Sequence, residues 1–338
     1  MQPNPWLYSR EFPGPVNAAC QESEGIVTNA ADRLISRIRA RGNAVVVGID
    51  PRPAQLPAEI RDRFAKDRAG IAGAIRAFGS ELIDVVAGLV PAVKFQSAFF
   101  EEFGPEGVLA LHENAAEAKR RGLFVIIDGK RNDIGSTAEA YARGYLGQPP
   151  GNESEGPAWE ADALTINPYL GSDGIVPFAK VAAERGRGLF VLVRTSNPSA
   201  GDFQDLIAEG KPVYRHVADR LVEWAEPLRG ESGYSALGAV VGATYPQQLA
   251  ELRAAMPGVI FLIPGYGAQG GTAADVAAGC NADGLGAVVN CSRGILFAFE
   301  RPDLRERFGN DWRGAVAAAV GEMVEDLAAH TPMGKLRA

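Results

Sequence analysis

Short apolar runs recur along the chain, and within each run polar and apolar positions do not alternate. An apolar run without alternation is typical of a strand that is buried on both faces, as in a parallel sheet. Eight such runs are present, at residues 44–49, 90–96, 123–128, 163–166, 189–194, 237–244, 259–263 and 286–290. They predict eight buried strands.

Segments with apolar residues at intervals of three and four separate these runs, which predicts helices between the strands. The predicted helices begin near Thr28 and continue at about 64–89, 107–121, 134–146, 175–185, 213–228, 246–255, 272–278 and 312–328. Strict alternation over eight units predicts a closed (β/α)8 TIM barrel in the α/β class. An open doubly wound sheet is the alternative that periodicity alone leaves open.

The pattern predicts one domain, because no repeat or linker divides the chain. Residues 1–27 form a predicted N-terminal arm, residues 28–330 the barrel domain, and residues 331–338 a C-terminal tail. A stretch rich in Pro, Gly, Glu and Ser at residues 147–160 predicts an exposed inserted loop.

Polar residues follow nearly every predicted strand. In a barrel the carboxyl ends of all strands share one face, where active sites of this fold lie. The sequence therefore predicts a site at this face, built from the strand-end residues Asp50, Lys94, Asp128, Lys130, Asn167, Ser196, Thr244, Gln269 and Arg293.

The densest group of charges follows the third predicted strand. Asp128 and Lys130 are two residues apart, so on an extended backbone they point the same way, roughly 6 to 7 Å apart. Asp133 follows in the loop, and Ser136 or Thr137 is the predicted cap of the next helix. Charges where water is partly excluded perturb one another's pKa values, which is how acid and base groups arise. Between two carboxylates, Lys130 is expected to keep its positive charge and to act as a proton donor.

Two segments near the C-terminus are suited to an anion. The turn Ile263-Pro-Gly265-Tyr-Gly267-Ala-Gln269-Gly-Gly271-Thr precedes a predicted helix, where free backbone N–H groups favour phosphate. Asn290-Cys-Ser292-Arg293-Gly294 supplies a guanidinium for a bidentate contact. Barrels often hold phosphate after strands 7 and 8, which is where these segments fall.

Charge and composition narrow the choice of partners. The 338 residues carry a formal net charge of −7, which gives no electrostatic support for binding a nucleic acid or an anionic membrane. The three cysteines are too few and too scattered for a disulfide framework, and no apolar run is long enough to cross a bilayer. We therefore expect a cytoplasmic protein. At the barrel mouth Lys94 and Lys130 compete with any divalent cation for the carboxylate oxygens, so no metal is expected.

These residues together resemble one family closely, the orotidine 5′-phosphate decarboxylases, and within it the longer bacterial, type 2 branch. The resemblance covers about residues 44–298 and rests on ordered motifs, each at a strand end. They are Gly48-Ile-Asp50-Pro51, Val93-Lys94-Phe95-Gln96, Asp128-Gly-Lys130-Arg-Asn-Asp133-Ile-Gly-Ser-Thr137, Thr165-Ile-Asn167-Pro-Tyr-Leu-Gly171, Thr195-Ser196-Asn197-Pro198, Pro264-Gly-Tyr-Gly267-Ala-Gln269-Gly-Gly271 and Ser292-Arg293-Gly294.

The resemblance implies conversion of orotidine 5′-monophosphate to uridine 5′-monophosphate and CO2 by a homodimer with shared active sites and without a metal or organic cofactor. It also implies the residue roles. Lys130 would protonate C6, Asp128 would face the substrate carboxylate, and Lys94 would hold Asp128 and a ribose hydroxyl. Asp133 and Thr137 would reach the partner's site. The other expected substrate contacts are Asp50 with ribose, Ser196 with the base, Gln269 and Arg293 with phosphate, and Asn167 and Gly267 as further binding residues.

Some features depart from the family pattern or have rival explanations. Gly129 replaces a larger apolar residue and is expected to loosen the strand end. Residues 199–211 are a candidate lid, from their Gly and Asp content. One rival function is a related barrel decarboxylase or aldolase that acts on a sugar phosphate through a magnesium-bound enediolate, although Lys94 occupies the position where that chemistry needs a carboxylate. The other is a non-catalytic pyrimidine nucleotide sensor, which would not need Asp128, Lys130 and Asp133.

Overall fold

The computed structural model describes residues 28–151, 157–267 and 270–337. Its main strands are β1 Val45–Ile49, β2 Ala92–Gln96, β3 Phe124–Arg131, β4 Ala163–Ile166, β5 Gly188–Arg194, β6 Ser235–Val241, β7 Val259–Ile263 and β8 Ala287–Cys291. In this part of the chain they form a closed barrel in the order β1-β8-β7-β6-β5-β4-β3-β2, and all neighbouring pairs are parallel. The predicted (β/α)8 barrel is confirmed, and the open doubly wound sheet is wrong.

The absence of alternation in the strands has a direct structural cause. Every residue of β1, β6, β7 and β8 is buried, with one side facing the barrel interior and the other facing the helices. Both faces therefore need apolar side chains.

Helices surround the barrel. Their bounds are α1 Ala30–Arg41, α2 Ala58–Arg61, α3 Arg68–Val86, α4 Ala98–Glu101, α5 Gly104–Arg120, α6 Gly135–Leu146, α7 Val176–Glu184, α8 Val213–Ala225, α9 Pro246–Ala255, α10 Ala273–Ala277, α11 Arg293–Leu296, α12 Pro302–Phe308 and α13 Trp312–His330. The short helices α2, α4, α11 and α12 were not predicted, because four to seven residues carry too little periodicity to be recognised. Among the described helices, none combines the length and apolar character that crossing a bilayer requires.

The predicted cap of α6 is wrong. The helix begins at Gly135, its N-cap position is Ile134, and no side chain caps it there. Asp133 instead accepts a hydrogen bond from the backbone N–H of Ile134 at 2.8 Å. Ser136 and Thr137 lie within the first turn, so their hydroxyl groups do not take the capping position.

The predicted outer segments lie partly outside the described residues. This applies to the whole N-terminal arm, residues 1–27, and to residues 152–156 of the inserted loop. At the end of that loop Trp159 stacks on Tyr145 of α6, with ring centroids 5.3 Å apart. In the tail a 3-10 helix, Pro332–Arg337, packs against the barrel domain through buried Met333.

A buried charge cluster lies at the opposite end of the barrel from the predicted site. Asp162, immediately before β4, is fully buried and accepts hydrogen bonds from Arg33 at 2.8 Å, Lys119 at 2.5 Å and the backbone of Val125 at 3.0 Å. Burial alone would raise the pKa of Asp162, but the neighbouring cations and the backbone donor lower it. The cluster joins α1, α5 and the start of β4.

Candidate active site

A cavity of about 500 Å³ opens at the carboxyl ends of the strands. Six of the predicted site residues line it: Asp50, Lys94, Asp128, Lys130, Ser196 and Arg293. They come from the ends of β1, β2, β3 and β5 and from the start of α11. The structure therefore brings together side chains that are far apart in sequence.

The other six predicted residues are not among the described residues that line this cavity. Asp133, Thr137, Asn167, Thr244 and Gly267 do not line the cavity of their own chain. Thr137 is exposed, and the side-chain oxygen of Asn167 accepts a hydrogen bond from Tyr169 N at 3.0 Å. Gln269 lies outside the described residues.

Asp128 is the centre of the hydrogen-bond network in this cavity. Its Oδ2 accepts from Lys94 Nζ at 2.8 Å and from Gln96 Nε2 at 3.1 Å. Its Oδ1 accepts from Lys130 Nζ at 2.6 Å and from Thr165 Oγ1 at 2.8 Å. Each carboxylate oxygen thus has two donors, which fills its ordinary capacity as an acceptor.

The strand register explains how this network forms. Gln96 of β2 lies beside Asp128 of β3, and Lys94 lies two residues earlier on β2. Side chains two residues apart on a strand point the same way. Lys94 and Gln96 therefore reach the same carboxylate.

The two buried charges shift one another's ionisation. Burial would lower the pKa of Lys94, but the carboxylates of Asp128 and Asp50 outweigh this effect and raise it above its ordinary value. Burial would raise the pKa of Asp128, but Lys94 and Lys130 hold it well below its usual range. At neutral pH the site therefore contains an ionised carboxylate and a charged Lys94 in largely buried surroundings.

The backbone at Lys130 differs from the prediction. An extended backbone was expected, but Lys130 has φ of 46°, in the left-handed region. The pairing of β3 with β4 is also irregular between Ile127 and Arg131. Asp128 and Lys130 therefore meet because the chain bulges there. That Gly129 loosens the strand end stays a prediction. Asp133 was expected to be the second carboxylate beside Lys130. Its carboxylate instead accepts a hydrogen bond from the backbone N–H of Ile134.

The anion-binding prediction needs one correction. Pro264, Gly265 and Tyr266 line the cavity, as does Arg293. The helix α10 that follows, however, begins with a capping box in which Thr272 and Asp275 bond to each other's backbone N–H groups. Asp275 places a carboxylate at that helix start, so the glycine turn and Arg293, rather than the N-terminus of α10, are the candidate anion contacts.

Several cavity residues were missed as site residues. Gln96 and Thr165 bond to Asp128, and Gln204, Asn290 and Tyr266 also line the cavity. A signal existed for two of them, since Gln96 shares the direction of Lys94 and Thr165 is a polar residue within an apolar run. The other three depend on how loops and strands meet.

Two acceptor oxygens in the cavity are buried and unsatisfied. Within the described residues, Asp50 Oδ1 and Asn290 Oδ1 have no hydrogen-bond partner. Asn290 is only 8% exposed. A Cβ at Gly48 would lie 2.0 Å from Ser292 Oγ and 2.8 Å from this Asn290 oxygen, so glycine at position 48 leaves space for both side chains. Buried acceptors without partners are suited to a donor on a ligand, such as a hydroxyl group.

The candidate lid carries one cavity residue. Residues 199–211 contain part of a 3-10 helix, Pro198–Asp202, and most of a small hairpin. Gln204 from this segment accepts from Thr195 N at 2.9 Å and donates to Thr195 Oγ1 at 2.8 Å. The segment is therefore held against the end of β5 at one edge of the cavity.

Comparison with known proteins identifies the family. Residues 44–302 match the model of the orotidine 5′-phosphate decarboxylase / HUMPS family. The chain is 50% identical over 299 residues to the orotidine 5′-phosphate decarboxylase of Rhodopirellula baltica, covering 88% of this chain and 98% of that protein. It is 41% identical over 276 residues to the orotidine 5′-phosphate decarboxylase of Caldicellulosiruptor bescii, covering 80% and 90%.

The fold agrees with the sequence comparison. The solved structure of Leishmania donovani OMP decarboxylase superposes with a TM-score of 0.68 at 32% identity, covering 90% of this chain and 98% of that one. The family match spans most of the described barrel and includes the strand ends that form the cavity. The chain therefore belongs to the orotidine 5′-phosphate decarboxylase / HUMPS family.

Proposed function

We propose that this protein decarboxylates orotidine 5′-monophosphate to uridine 5′-monophosphate and CO2, the last step of pyrimidine nucleotide synthesis. The bond between C6 and the carboxylate carbon breaks, and its electron pair stays on C6. Lys130 then donates a proton to C6 and recovers one from solvent. Membership of the family and the names of its members support this reaction.

The network of Lys94, Asp128 and Lys130 is the observation that carries the proposal. A carbanion at C6 has no easy route to spread its charge, so an enzyme must stabilise it electrostatically in a preorganised site. Lys130 is held 2.6 Å from Asp128 at the cavity wall. The ionised Asp128 is suited to face the substrate carboxylate, and the ammonium group of Lys130 gains most as negative charge develops on C6.

The other cavity residues suit the remaining parts of the substrate. Lys94 and Asp50, whose Nζ and Oδ1 atoms are 3.9 Å apart, would contact ribose hydroxyl groups. Ser196 would contact the edge of the base, and Arg293 the phosphate, together with Gln269. Asn167 and Gly267 remain proposed as binding residues, although they do not line the cavity of this chain.

A homodimer with shared sites is part of the proposal. Asp133 and Thr137 stay outside the cavity of their own chain, which supports a role for them in the partner's site. Beside them, Ile134 is 51% exposed and Tyr141 38% exposed. A second copy of the chain would cover this apolar surface. We expect this assembly to be cytoplasmic.

The reaction is proposed to need no metal. All four donors on Asp128 are nitrogen or hydroxyl groups, and two of them are ammonium groups that occupy the space a cation would need. Within the described ranges, His, Cys, Asp and Glu side chains form no group of three or more that could hold a metal ion.

The loss of absorbance of orotidine 5′-monophosphate, measured with purified protein in EDTA, tests the reaction. We expect turnover by the native protein and none by Lys130→Ala, while Lys180→Ala, at an exposed lysine on α7, keeps native turnover. A folded native protein that leaves the substrate unchanged would refute the proposal. Activity that returns only with magnesium would favour the sugar-phosphate type of barrel chemistry.

Mixing variants tests the shared site separately. Lys130→Ala and Asp133→Ala subunits are each expected to be inactive as homodimers. If Asp133 acts in the partner's site, a mixed dimer regains one site that has both native residues. No recovery in a mixture shown to contain heterodimers would assign both residues to one chain.

A further inference from the structure

The backbone of Lys130 has an unusual conformation. Lys130 and Glu209 are the non-glycine residues of the described ranges with positive φ, and Glu209 lies in the turn of the small hairpin. Lys130 has no turn to explain its angle, since it lies near the end of β3. A left-handed conformation is unfavourable for a lysine and persists only where surrounding contacts hold it.

The strand pairing shows which residue supplies such contacts. Ile127 pairs with Leu164 and Arg131 pairs with Ile166, so four steps along β3 correspond to two steps along β4. The extra length of β3 bulges opposite Thr165, which is the residue of β4 between the two pairs. Bulges often redirect a side chain beside an active site.

The bulge interrupts the regular backbone hydrogen bonding between β3 and β4. The hydroxyl group of Thr165 serves instead as the acceptor for the backbone N–H of Lys130. Lys130 N donates to Thr165 Oγ1 at 2.9 Å, and Thr165 Oγ1 donates to Asp128 Oδ1 at 2.8 Å. The direction of both bonds is fixed, because a backbone N–H can only donate and an ionised carboxylate can only accept. Thr165 is 1% exposed, so water does not readily take its place.

We propose that Thr165 is a positioning residue whose single hydroxyl group holds both the strained backbone of Lys130 and the carboxylate of Asp128. This inference rests on the proposed function for the roles of those two residues. Without the hydroxyl group, the N–H of Lys130 loses its acceptor and Oδ1 of Asp128 loses one of its two donors. The backbone of Lys130 then relaxes toward ordinary φ, which moves its ammonium group away from the reacting carbon.

Exchanging Thr165 for valine and for serine tests the inference. Thr165→Val keeps the shape and removes the hydroxyl group, and Thr165→Ser keeps the hydroxyl group. We expect kcat of Thr165→Val to fall by about 10- to 100-fold with KM within about threefold of native, because misplacing a reacting group affects the chemical step. Thr165→Ser is expected to stay within about threefold of the native kcat.

Thr331→Val is the matched control. Its hydroxyl group also makes two hydrogen bonds, donating to Leu327 O and accepting from Met333 N, but it lies after α13, away from the cavity. This control is expected to keep native kcat and KM. A native kcat in Thr165→Val, an equal loss in Thr165→Ser, or a rise in KM alone would overturn the inference.

Two further arms keep the test decisive. If Thr165→Val does not fold, Thr165→Ala replaces it, and equal kcat values for the alanine and serine variants would overturn the inference. If native protein does not decarboxylate orotidine 5′-monophosphate, the proposed function fails, and a crystal structure of Thr165→Val decides the positioning role. A φ of Lys130 outside the left-handed region supports that role, and an unchanged φ overturns it.

Discussion

Replacing Lys94 with methionine is expected to destabilise the folded protein strongly near neutral pH. The Lys94 ammonium group is buried, 2.8 Å from Asp128 and 3.9 Å from Asp50. At an effective dielectric constant of about 20 these separations correspond to roughly 6 and 4 kcal/mol of attraction. Much of this attraction offsets the cost of burying the charges. Removing Lys94 leaves Lys130 as the cationic partner of Asp128 and takes the buried ammonium group from beside Asp50, so we expect a loss of about 3–5 kcal/mol in the free energy of unfolding.

The loss of stability in Lys94→Met should become smaller as the pH falls. The pKa of Asp128 is depressed in the folded protein, chiefly because Lys94 and Lys130 outweigh the opposing effect of burial. A depressed pKa stabilises the fold above the unfolded value of about 3.9, and this stabilisation disappears as pH falls through the folded value. Lys94→Met removes one of the two cations that lower the pKa of Asp128, so this pKa is depressed less in the variant. The difference between native and variant protein should therefore be largest at pH 7 and smaller near pH 3.

Urea unfolding at both pH values, followed by circular dichroism, measures this difference. Lys180→Met, at an exposed lysine of α7, is the matched control and should stay within about 0.5 kcal/mol of native protein. A Lys94→Met protein as stable as native at pH 7 would refute the electrostatic account. A difference that grows toward pH 3 would contradict the assigned direction of the Asp128 pKa shift.

Three further predictions concern other contacts. Asp162→Asn, at the end of the barrel opposite the cavity, should lower the free energy of unfolding by about 3–5 kcal/mol because it removes a buried carboxylate from its cationic partners. Thermal melts measure this loss, and a lowered kcat/KM in the folded variant would contradict a purely structural role. Tyr266→Phe removes the 2.6 Å hydrogen bond to Asp326 that joins the cavity loop to α13, so KM should rise about tenfold with kcat nearly unchanged. Steady-state kinetics measure both constants, and a fall in kcat alone would contradict this prediction. Asn290→Ala removes a buried acceptor from the cavity and should weaken product binding by about 1 to 2 kcal/mol; titration calorimetry with uridine 5′-monophosphate tests this, and unchanged affinity would exclude a ligand contact.

The barrel could be predicted from the sequence because its strands are buried on both faces. Such strands give continuous apolar runs, and nearly every run here is followed by a polar residue at the same face of the barrel. The positions of Asp50, Lys94, Asp128 and Lys130 in one cavity follow from this rule alone. Periodicity and strand ends therefore predicted both the architecture and the centre of the candidate site.

The remaining details depend on tertiary register, which local sequence does not contain. The bulge opposite Thr165 changes which atoms of β3 meet β4, and it gives Lys130 its left-handed backbone. The wrong cap at Ser136 or Thr137 has a local origin instead, because the helix begins at Gly135 and both residues lie within its first turn. Asn290 was missed as a site residue because its place in the cavity depends on the pairing of β8 with β1, where Gly48 leaves space for the side chains of Ser292 and Asn290.

The hydrogen bonds of Asp128 bear on the choice between rival reactions. A carboxylate that abstracts a proton needs a free lone pair and a pKa near the working pH. Asp128 has two donors on each oxygen and a pKa well below its usual range. It is therefore suited to act as a fixed negative charge and poorly suited to act as a base. Abstraction of a proton from carbon requires such a base, whereas loss of CO2 leaves an electron pair on carbon without one and depends on electrostatic stabilisation and, in the proposed reaction, on proton donation by Lys130. The saturated carboxylate thus favours decarboxylation over proton abstraction at this site.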